Sequence, residues 1–479
     1  MPHDWSQLEL SEEAMRALVD AAMDRVVTHI QSLPSQPAAD TDGAAELARS
    51  LVAPLPEVGG SPQEVLSLLF DRAVPKSFNT AGPGYLAYIP GGGIFASAVA
   101  DLIADAVNRY VGVWLAAPAL VQLETNVVRW FCDLAGYPPT AGGLLTTGGS
   151  LANFSALVAA RRERLPEDFL SGTLYLSGEA HHSMRKAALL AGFSAGSVRT
   201  VPVDEYFRIR LDALRASLRA DRAEGRRPFL VVANAGSTNT GAVDDLAGLA
   251  DLAASEGLWL HVDAAYGGFF LLTERGRAAM RGIERADSIT LDPHKGLFLP
   301  YGNGSLLVRD AETLKRAHSV AAEYLPPLQQ QPGLVDFCEI SPELSRDFRG
   351  LRVWLPMQLH GAAAFRRALD EKLDLTRWVA GELQRIPGIE LVIEPQLSIV
   401  AFRLVRRGLD AIALDALNRE LIARINARRR VYLSGTTLPC GFVLRICVLS
   451  FRTHRDRVEQ AIEDVRASVE DLSAGHPTP

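Results

Sequence analysis

The sequence predicts an α/β fold with a mostly parallel sheet, preceded by a helical arm and followed by a smaller α+β domain. Between about residues 85 and 360, short β-rich runs alternate with helical patterns, which is typical of parallel strands joined by helices that cover both sheet faces. Long helical patterns separated by strand-like runs follow. A chain of 479 residues also exceeds the roughly 250–300 that one core supports. We therefore expect a helical arm at 1–84, a large α/β domain at 85–360 and a small C-terminal α+β domain at 361–479.

The arm is predicted to contain two helices. Ser11 can cap the first by accepting a hydrogen bond from a backbone N–H, and Pro34 and Pro37 end it. A connector rich in proline and glycine follows. Ser61 can cap the second helix, which extends through Leu69.

The later strands and helices are predicted from apolar runs and apolar periodicity. In the large domain we expect strands at residues 173–177, 200–203, 229–234, 258–263, 288–291 and 304–308, with a helix at 246–256 between two of them. In the small domain we expect helices at 362–384, 409–427 and 454–471, and strands at 390–393, 399–404 and 443–447.

The composition excludes several classes of protein. Hydrophobic residues make up 48% and charged residues 22% of the chain, which argues against extensive disorder. The net charge is −7 and the arginines are scattered, so we expect neither nucleic acid nor a membrane as a partner. We see no signal peptide and no apolar run near the roughly 20 residues of a membrane helix. The four cysteines lack CxxC spacing and a neighbouring histidine cluster, which argues against disulfides and a metal site and for a cytoplasmic location.

A lysine comes directly after one predicted strand. Residues 292–295 read Asp-Pro-His-Lys and follow the strand at 288–291. Ligands of open α/β sheets bind beyond the carboxyl ends of the strands, so Lys295 is placed to meet one. An amine there can form an imine with an aldehyde, and pyridoxal 5′-phosphate (PLP) is the commonest such cofactor. A lone lysine at this point is more often a surface residue, so the interpretation depends on further motifs.

A carboxylate ends a neighbouring predicted strand. Asp263 closes the run at 258–263, and Ala264, Ala265 and two glycines after it leave room for a flat ring. A carboxylate against the pyridine nitrogen of PLP keeps that nitrogen protonated, which makes the ring an electron sink. The alternative, a helix N-cap, is credible for Asp263 alone but weak beside Lys295.

A glycine-rich segment is the candidate phosphate site. Residues 142–150 read as a glycine turn that leads into a helical pattern at 151–161. Free N–H groups and the positive end of a helix dipole favour a phosphate, and Ser150 adds a hydroxyl donor. Such a turn is weak evidence by itself, and it supports a PLP site only together with Lys295 and Asp263.

Two further candidates follow predicted strands. His181 comes after the strand at 173–177 and could stack on the cofactor ring. Thr238 follows the strand at 229–234 and could contact the ring or the phosphate. The alternatives are an ordinary histidine at a helix start and a turn stabilised by Ser and Thr side chains.

In this order and spacing, the motifs resemble the PLP-dependent group II amino-acid decarboxylases, the aromatic-L-amino-acid decarboxylase-like family of fold type I. The resemblance covers about residues 50–470. It rests on residues 86–90, 114–124, the glycine turn, 180–181, 261–266 and 292–295.

The resemblance implies a homodimer with shared active sites and a role for each matched residue. Lys295 would form the Schiff base, Asp263 would contact the pyridine nitrogen, and His181 would stack on the ring. Tyr324, on a polar segment after Lys295, falls where the family has the tyrosine that protonates the α-carbon. The alternative is an exposed surface tyrosine. Further cofactor contacts are implied for Gly149, Ser150, Thr238, Ala265, Asp292 and His294.

The substrate side departs from the family pattern. Asp292 and Gly296 stand where the family often has Asn and Trp. Ile89 and Gly112 stand where aromatic decarboxylases usually have aromatic residues, so Tyr88 and Ile89 are expected to contact substrate in an altered pocket. We predict decarboxylation of an L-amino acid, an aromatic one being a candidate, to its amine and CO₂. The alternatives are oxidative deamination to an aldehyde, another fold-type-I PLP reaction, and a homologue that has lost catalysis.

Overall fold

The computed structural model describes residues 8–319 and 333–474. Within these ranges the α-helices are α1 (Glu12–Ser32), α2 (Ala44–Ser50), α3 (Pro62–Ser67), α4 (Phe95–Val107), α5 (Pro118–Leu134), α6 (Gly149–Arg164), α7 (His182–Leu190), α8 (Leu211–Ala223), α9 (Leu246–Glu256), α10 (Glu274–Ala279), α11 (Pro293–Gly296), α12 (Glu312–His318), α13 (Phe337–Ile340), α14 (Arg349–Gln384), α15 (Ala411–Ala427) and α16 (Arg455–Ala474). The strands are β1 (Gly142–Thr146), β2 (Gly172–Ser177), β3 (Val198–Val201), β4 (Arg227–Asn234), β5 (Trp259–Asp263), β6 (Ser288–Leu291), β7 (Gly304–Val308), β8 (Ile389–Leu391), β9 (Ile399–Leu404), β10 (Ser434–Leu438) and β11 (Gly441–Cys447).

The large sheet has seven strands in the order β1-β7-β6-β5-β4-β2-β3. The pairs β6–β5, β5–β4, β4–β2 and β2–β3 are parallel, and β7 runs antiparallel to both of its neighbours. All residues of β2, β5 and β6 are buried, as expected for strands covered on both faces by helices. The predicted α/β class and mostly parallel sheet are therefore confirmed.

The small sheet is antiparallel, in the order β10-β11-β9-β8. Its strands and the helices α14, α15 and α16 enclose a second apolar cluster that includes Val379, Phe402, Leu444 and Val465. This arrangement confirms the predicted small C-terminal α+β region.

The predicted helix starts of the arm are confirmed by their capping contacts. The Ser11 hydroxyl accepts a hydrogen bond from Ala14 N at 3.2 Å at the start of α1. Ser61 and Glu64 form a reciprocal capping box at the start of α3, which a π-helical stretch at Leu68–Ala73 extends.

Residues 142–146, predicted as part of a turn, instead form the edge strand β1. Gly143 permits the close approach of β7, because a Cβ atom there would lie 2.1 Å from the carbonyl oxygen of Leu306. The turn is limited to Thr147 and Gly148, before α6 begins.

Other differences concern α2, β10 and α14. Helix α2 and strand β10 are not among the predicted elements, because their short runs have weak apolar patterns. Helix α14 begins at Arg349 rather than at residue 362, and Gly361, with φ 69° and ψ 152°, interrupts it just before the predicted start.

Candidate active site

A cavity of about 350 Å³ lies where the parallel strands of the large sheet reach their carboxyl ends. The segments after β1, β2, β4, β5 and β6 all contribute to its wall. The structure brings all the predicted cofactor contacts to this cavity: Gly149, Ser150, His181, Thr238, Asp263, Ala265, Asp292, His294 and Lys295.

Lys295 lies in the single turn of α11, directly after β6. Its Nζ is 2.9 Å from Oδ2 of Asp292, a side chain that is 3% exposed. Burial lowers the pKa of the Lys295 ammonium, but the charge and hydrogen bond of Asp292, together with Asp263, outweigh burial and leave this pKa above its ordinary value. The amine is thus held in place as a cation until a ligand displaces the ion pair.

Asp263 is the last residue of β5 and is 7% exposed. Its Oδ2 accepts a hydrogen bond from Asn153 Nδ2 at 2.8 Å, and its Oδ1 accepts one from Ala265 N at 3.2 Å. Both carboxylate oxygens therefore have a donor, which fixes the orientation of the side chain.

The two cavity histidines are held by their Nδ1 atoms. Nδ1 of His181 accepts from Ser183 N at 3.3 Å and lies 2.8 Å from Ser183 Oγ. Nδ1 of His294 lies 2.6 Å from the carbonyl oxygen of Asn303, so this nitrogen carries the hydrogen and donates. Burial lowers the pKa of His181, against the opposing effect of Asp263, and it also lowers the pKa of His294. Both rings are therefore favoured in the neutral form.

The turn before α6 supplies a candidate anion site. The N-cap residue of α6, Gly148, is a glycine without a capping side chain, and Gly148, Gly149 and Ser150 line the cavity, so the positive end of this helix faces it. A Cβ atom at Gly149 would lie 3.0 Å from Asp292 Oδ2 and 3.3 Å from Ala265 Cβ. Any larger residue would therefore be crowded where this turn approaches Asp292.

One buried acceptor on the cavity wall lacks a partner. Oδ1 of Asp292 has no hydrogen bond within residues 8–319 and 333–474, and such an atom indicates that a donor from a ligand completes the site. The amine of Lys295, the fixed carboxylate of Asp263 and the uncapped start of α6 suit an aldehyde, a pyridine nitrogen and a phosphate, respectively. The residues present thus fit PLP.

The structure adds cavity residues that the sequence analysis missed. Asn153 follows Ser150 by three positions on α6, a spacing that places both on one helix face. Ser183, Tyr266 and Tyr301 also line the cavity. Their only sequence signal was proximity to the motifs, since a polar residue inside a helix pattern does not reveal what it contacts.

The roles predicted for Tyr324, Tyr88 and Ile89 remain predictions. Tyr324 falls outside the described residues, so its role stays a prediction. Ile89 is buried in the main apolar core, and Tyr88 is 56% exposed with φ 51°. Neither is among the residues that line the cavity of this chain, and their contact with substrate stays a prediction.

Taken together, the sheet and the cavity at its carboxyl edge define a PLP-dependent enzyme. Residues 70–405, well over half of the chain, match the pyridoxal-dependent decarboxylase conserved domain, and the chain belongs to this family. The family resemblance expected from the sequence is therefore confirmed.

Proteins of known activity resemble the chain over nearly its full length. Aromatic-L-amino-acid decarboxylase of Bacillus atrophaeus is 36% identical, with 98% of each chain covered. L-2,4-diaminobutyrate decarboxylase of Rhizobium meliloti is 32% identical, with 89% of this chain and 86% of the relative covered. The structure of Oryza sativa TDC, solved with PLP and tryptamine, aligns with a TM-score of 0.92 at 26% identity, covering 97% of this chain and 99% of the other.

The chain is accordingly an enzyme that uses PLP to decarboxylate an amino acid. Among its helices within residues 8–319 and 333–474, none is both long enough and apolar enough to cross a membrane.

Proposed function

We propose that this enzyme converts an aromatic L-amino acid to its amine and CO₂ at the cavity that contains Lys295 and Asp263. The observation that carries the proposal is the convergence on one cavity of a half-buried lysine, a carboxylate with two fixed donors and an uncapped helix start. When bound, PLP supplies an electron-poor ring that accepts the electron pair released as the bond between the α-carbon and the carboxylate breaks.

Each residue has a separate task in this proposal. The Lys295 amine would hold the cofactor through its aldehyde group. Asp263 would contact the pyridine nitrogen, and His181 would fix the orientation of the ring. Tyr324 delivers the proton that replaces the carboxylate on the α-carbon, a role inferred from its place in the sequence.

The charge of the cavity wall favours a substrate with an uncharged side chain. Within the described residues, two carboxylates line the cavity, and three of their four oxygens are engaged: both oxygens of Asp263 by Asn153 and Ala265, and Oδ2 of Asp292 by Lys295. A second substrate ammonium, as in L-2,4-diaminobutyrate, would meet only the remaining oxygen of Asp292. The 36% identity to an aromatic decarboxylase, against 32% to a diaminobutyrate decarboxylase, points the same way.

A substrate panel tests this proposal. Purified enzyme with PLP is incubated separately with L-tryptophan, L-tyrosine, L-phenylalanine, L-glutamate and L-2,4-diaminobutyrate, and CO₂, amine and hydrogen peroxide are measured. We expect CO₂ and amine in equal amounts from an aromatic substrate and none from Lys295→Ala. Turnover of diaminobutyrate alone would overturn the substrate assignment, and peroxide in place of amine would favour the oxidative alternative.

Labelling tests the lysine separately. Borohydride reduction of the PLP-loaded enzyme should attach the cofactor to the peptide that contains Lys295. Attachment to any other lysine would show that this assignment is wrong.

We also propose that the enzyme is a cytoplasmic homodimer. Helix α4 presents the exposed apolar side chains of Phe95, Leu102, Ile103 and Val107, which association of two copies would bury. The four cysteines are free, as in a reducing compartment. Mixing inactive Lys295→Ala with Tyr324→Phe protein should restore part of the amine production if each site uses residues of both subunits, whereas a monomer in sedimentation would exclude this arrangement.

A further inference from the structure

A buried amide lies between the groups that line the cavity. Asn153, on α6, is 1% exposed. Its Nδ2 donates to Asp263 Oδ2 at 2.8 Å and to Ser183 Oγ at 3.0 Å. Its Oδ1 accepts from Thr290 Oγ1 at 2.7 Å and lies 3.1 Å from His261 Nε2. Each of these four partners is itself buried.

The contacts with Asp263 and His261 determine which way the Asn153 amide points. If it were turned over, its oxygen would face the carboxylate of Asp263, and two acceptors cannot bond to each other. With Oδ1 toward His261, Nε2 of that ring must donate, and its Nδ1 must accept from Ser288 Oγ, 2.8 Å away. Ser288 Oγ accepts in turn from Trp259 Nε1 at 2.8 Å. Burial lowers the pKa of His261 to about 4, so the ring is neutral, as this order of donors requires.

The contact with Ser183 connects Asn153 to His181. Because Ser183 Oγ accepts from Asn153, its own hydrogen is available for Nδ1 of His181, 2.8 Å away. The backbone N–H of Ser183 donates to the same nitrogen. Nδ1 of His181 is therefore an acceptor, and in the neutral ring Nε2 carries the hydrogen.

We propose that Asn153 is a positioning residue of this active site, whose amide holds the carboxylate of Asp263 in place and, through Ser183, supports the tautomer of His181 in which Nδ1 accepts. This inference rests on the proposed function, which assigns Asp263 to the pyridine nitrogen of PLP. Asn153 itself acts through the groups on either side of it, and the order of donors from Trp259 to Asn153 keeps its amide from turning over.

Two substitutions distinguish the hydrogen bonds that the Asn153 amide donates from the shape of its side chain. Asn153→Ala removes both donors, whereas Asn153→Asp keeps the shape and places a second carboxylate 2.8 Å from Asp263, where both cannot be ionised. Loss of a hydrogen bond to a charged group should weaken PLP binding on the order of 10- to 100-fold in Asn153→Ala, and at least as much in Asn153→Asp. With saturating PLP, kcat should fall more than KM for the amino acid changes, because the cofactor and not the substrate loses its support.

The experiment measures the dissociation constant of PLP from the dependence of protein fluorescence on PLP concentration, and the visible absorption spectrum of the loaded enzyme. Thermal midpoints with and without PLP are recorded for each variant. The matched control is Ser155→Ala, on the same helix, which removes a buried hydroxyl with no hydrogen-bond partner among the described residues. This control should bind PLP as the unmodified enzyme does.

A double-mutant comparison distinguishes failure of the inference from failure of the proposed function. Asp263→Asn should weaken PLP binding, and adding Asn153→Ala to it should weaken binding little further, since the two residues act as one unit. Unchanged PLP affinity in Asp263→Asn would refute the role proposed for Asp263. A strong effect of Asp263→Asn with near-normal PLP affinity in Asn153→Ala and Asn153→Asp would overturn the inference alone, as would a loss of thermal stability without a change in affinity or spectrum.

Discussion

Substitution of Gly304 should weaken cofactor binding by displacing Gly148, in the turn before α6. Gly304 begins β7 opposite Thr146, the last residue of β1, and a Cβ atom there would lie 2.5 Å from the carbonyl carbon and 2.6 Å from the Cα of Gly148. Ordinary contact for a Cβ begins at 3.4 Å, so Gly148 would have to move by about 0.9 Å. Overpacking of this kind costs about 1–3 kcal/mol, and the displaced turn is the one that opens α6 toward the cavity.

We therefore expect Gly304→Ala to lower both the thermal midpoint and the affinity for PLP. A displacement near 1 Å should weaken PLP binding by at least about tenfold, because the start of α6 would no longer face its ligand correctly. PLP affinity is measured by fluorescence titration and stability by thermal unfolding without cofactor.

The matched control for Gly304→Ala is Gly276→Ala, in α10. A Cβ atom at Gly276 would lie 2.0 Å from the carbonyl oxygen of Phe270, and neither residue lines the cavity. This control should lose stability and keep its intrinsic PLP affinity. Equal PLP affinity in Gly304→Ala, Gly276→Ala and the unmodified enzyme would refute the reasoning about the turn.

Three further outcomes are expected. Tyr324→Phe should reduce amine formation on the order of 10²–10⁴-fold while CO₂ release continues, with more aldehyde and hydrogen peroxide; unchanged amine production would remove Tyr324 from the mechanism. Asp292→Asn should speed PLP uptake by the apoprotein near pH 7 in stopped-flow, because Asp292 helps to raise the pKa of Lys295 against burial; an unchanged rate would contradict this. Because burial lowers the pKa of His261 from 6.5 to about 4, the stability that its neutral form contributes above pH 6.5 is lost as the pH falls toward 4. At pH 5 this loss is about 2 kcal/mol, and His261→Gln should reduce the fall in thermal midpoint between pH 7 and pH 5; an equal fall in both proteins would argue against it.

Much of the large sheet could be predicted because its strands are unusually apolar. Each predicted strand from 173–177 to 304–308 overlaps an observed one, and Asp263 and Lys295 lie where the ends of β5 and β6 place them. Parallel strands buried on both faces leave continuous apolar runs, which short-range patterns reveal. The cofactor site could be predicted from the types of residue that directly follow those runs.

The missed features depend on contacts between distant parts of the chain. Residues 142–146 form a strand only because β7 lies beside them, and their glycines hide this pairing from any local pattern. Asn153 meets Asp263 and His261, each more than 100 positions away, so its spacing within α6 carried no hint of these partners. The roles of these residues depend on contacts made only in the folded chain, which local sequence patterns do not reveal.

The order of strands in the large sheet has a consequence for synthesis of the protein. β1 is the first strand of this sheet to leave the ribosome, yet its neighbour β7 is the last. Until residue 308 has been translated, β1 has no partner in the sheet, and the turn that leads into α6 lacks the backbone that supports it. A nascent chain can therefore contain both Lys295 and Asp263 and still be unable to retain PLP. Stable capture of PLP is therefore expected only after β7, the last strand of this sheet along the chain, has paired with β1, the first.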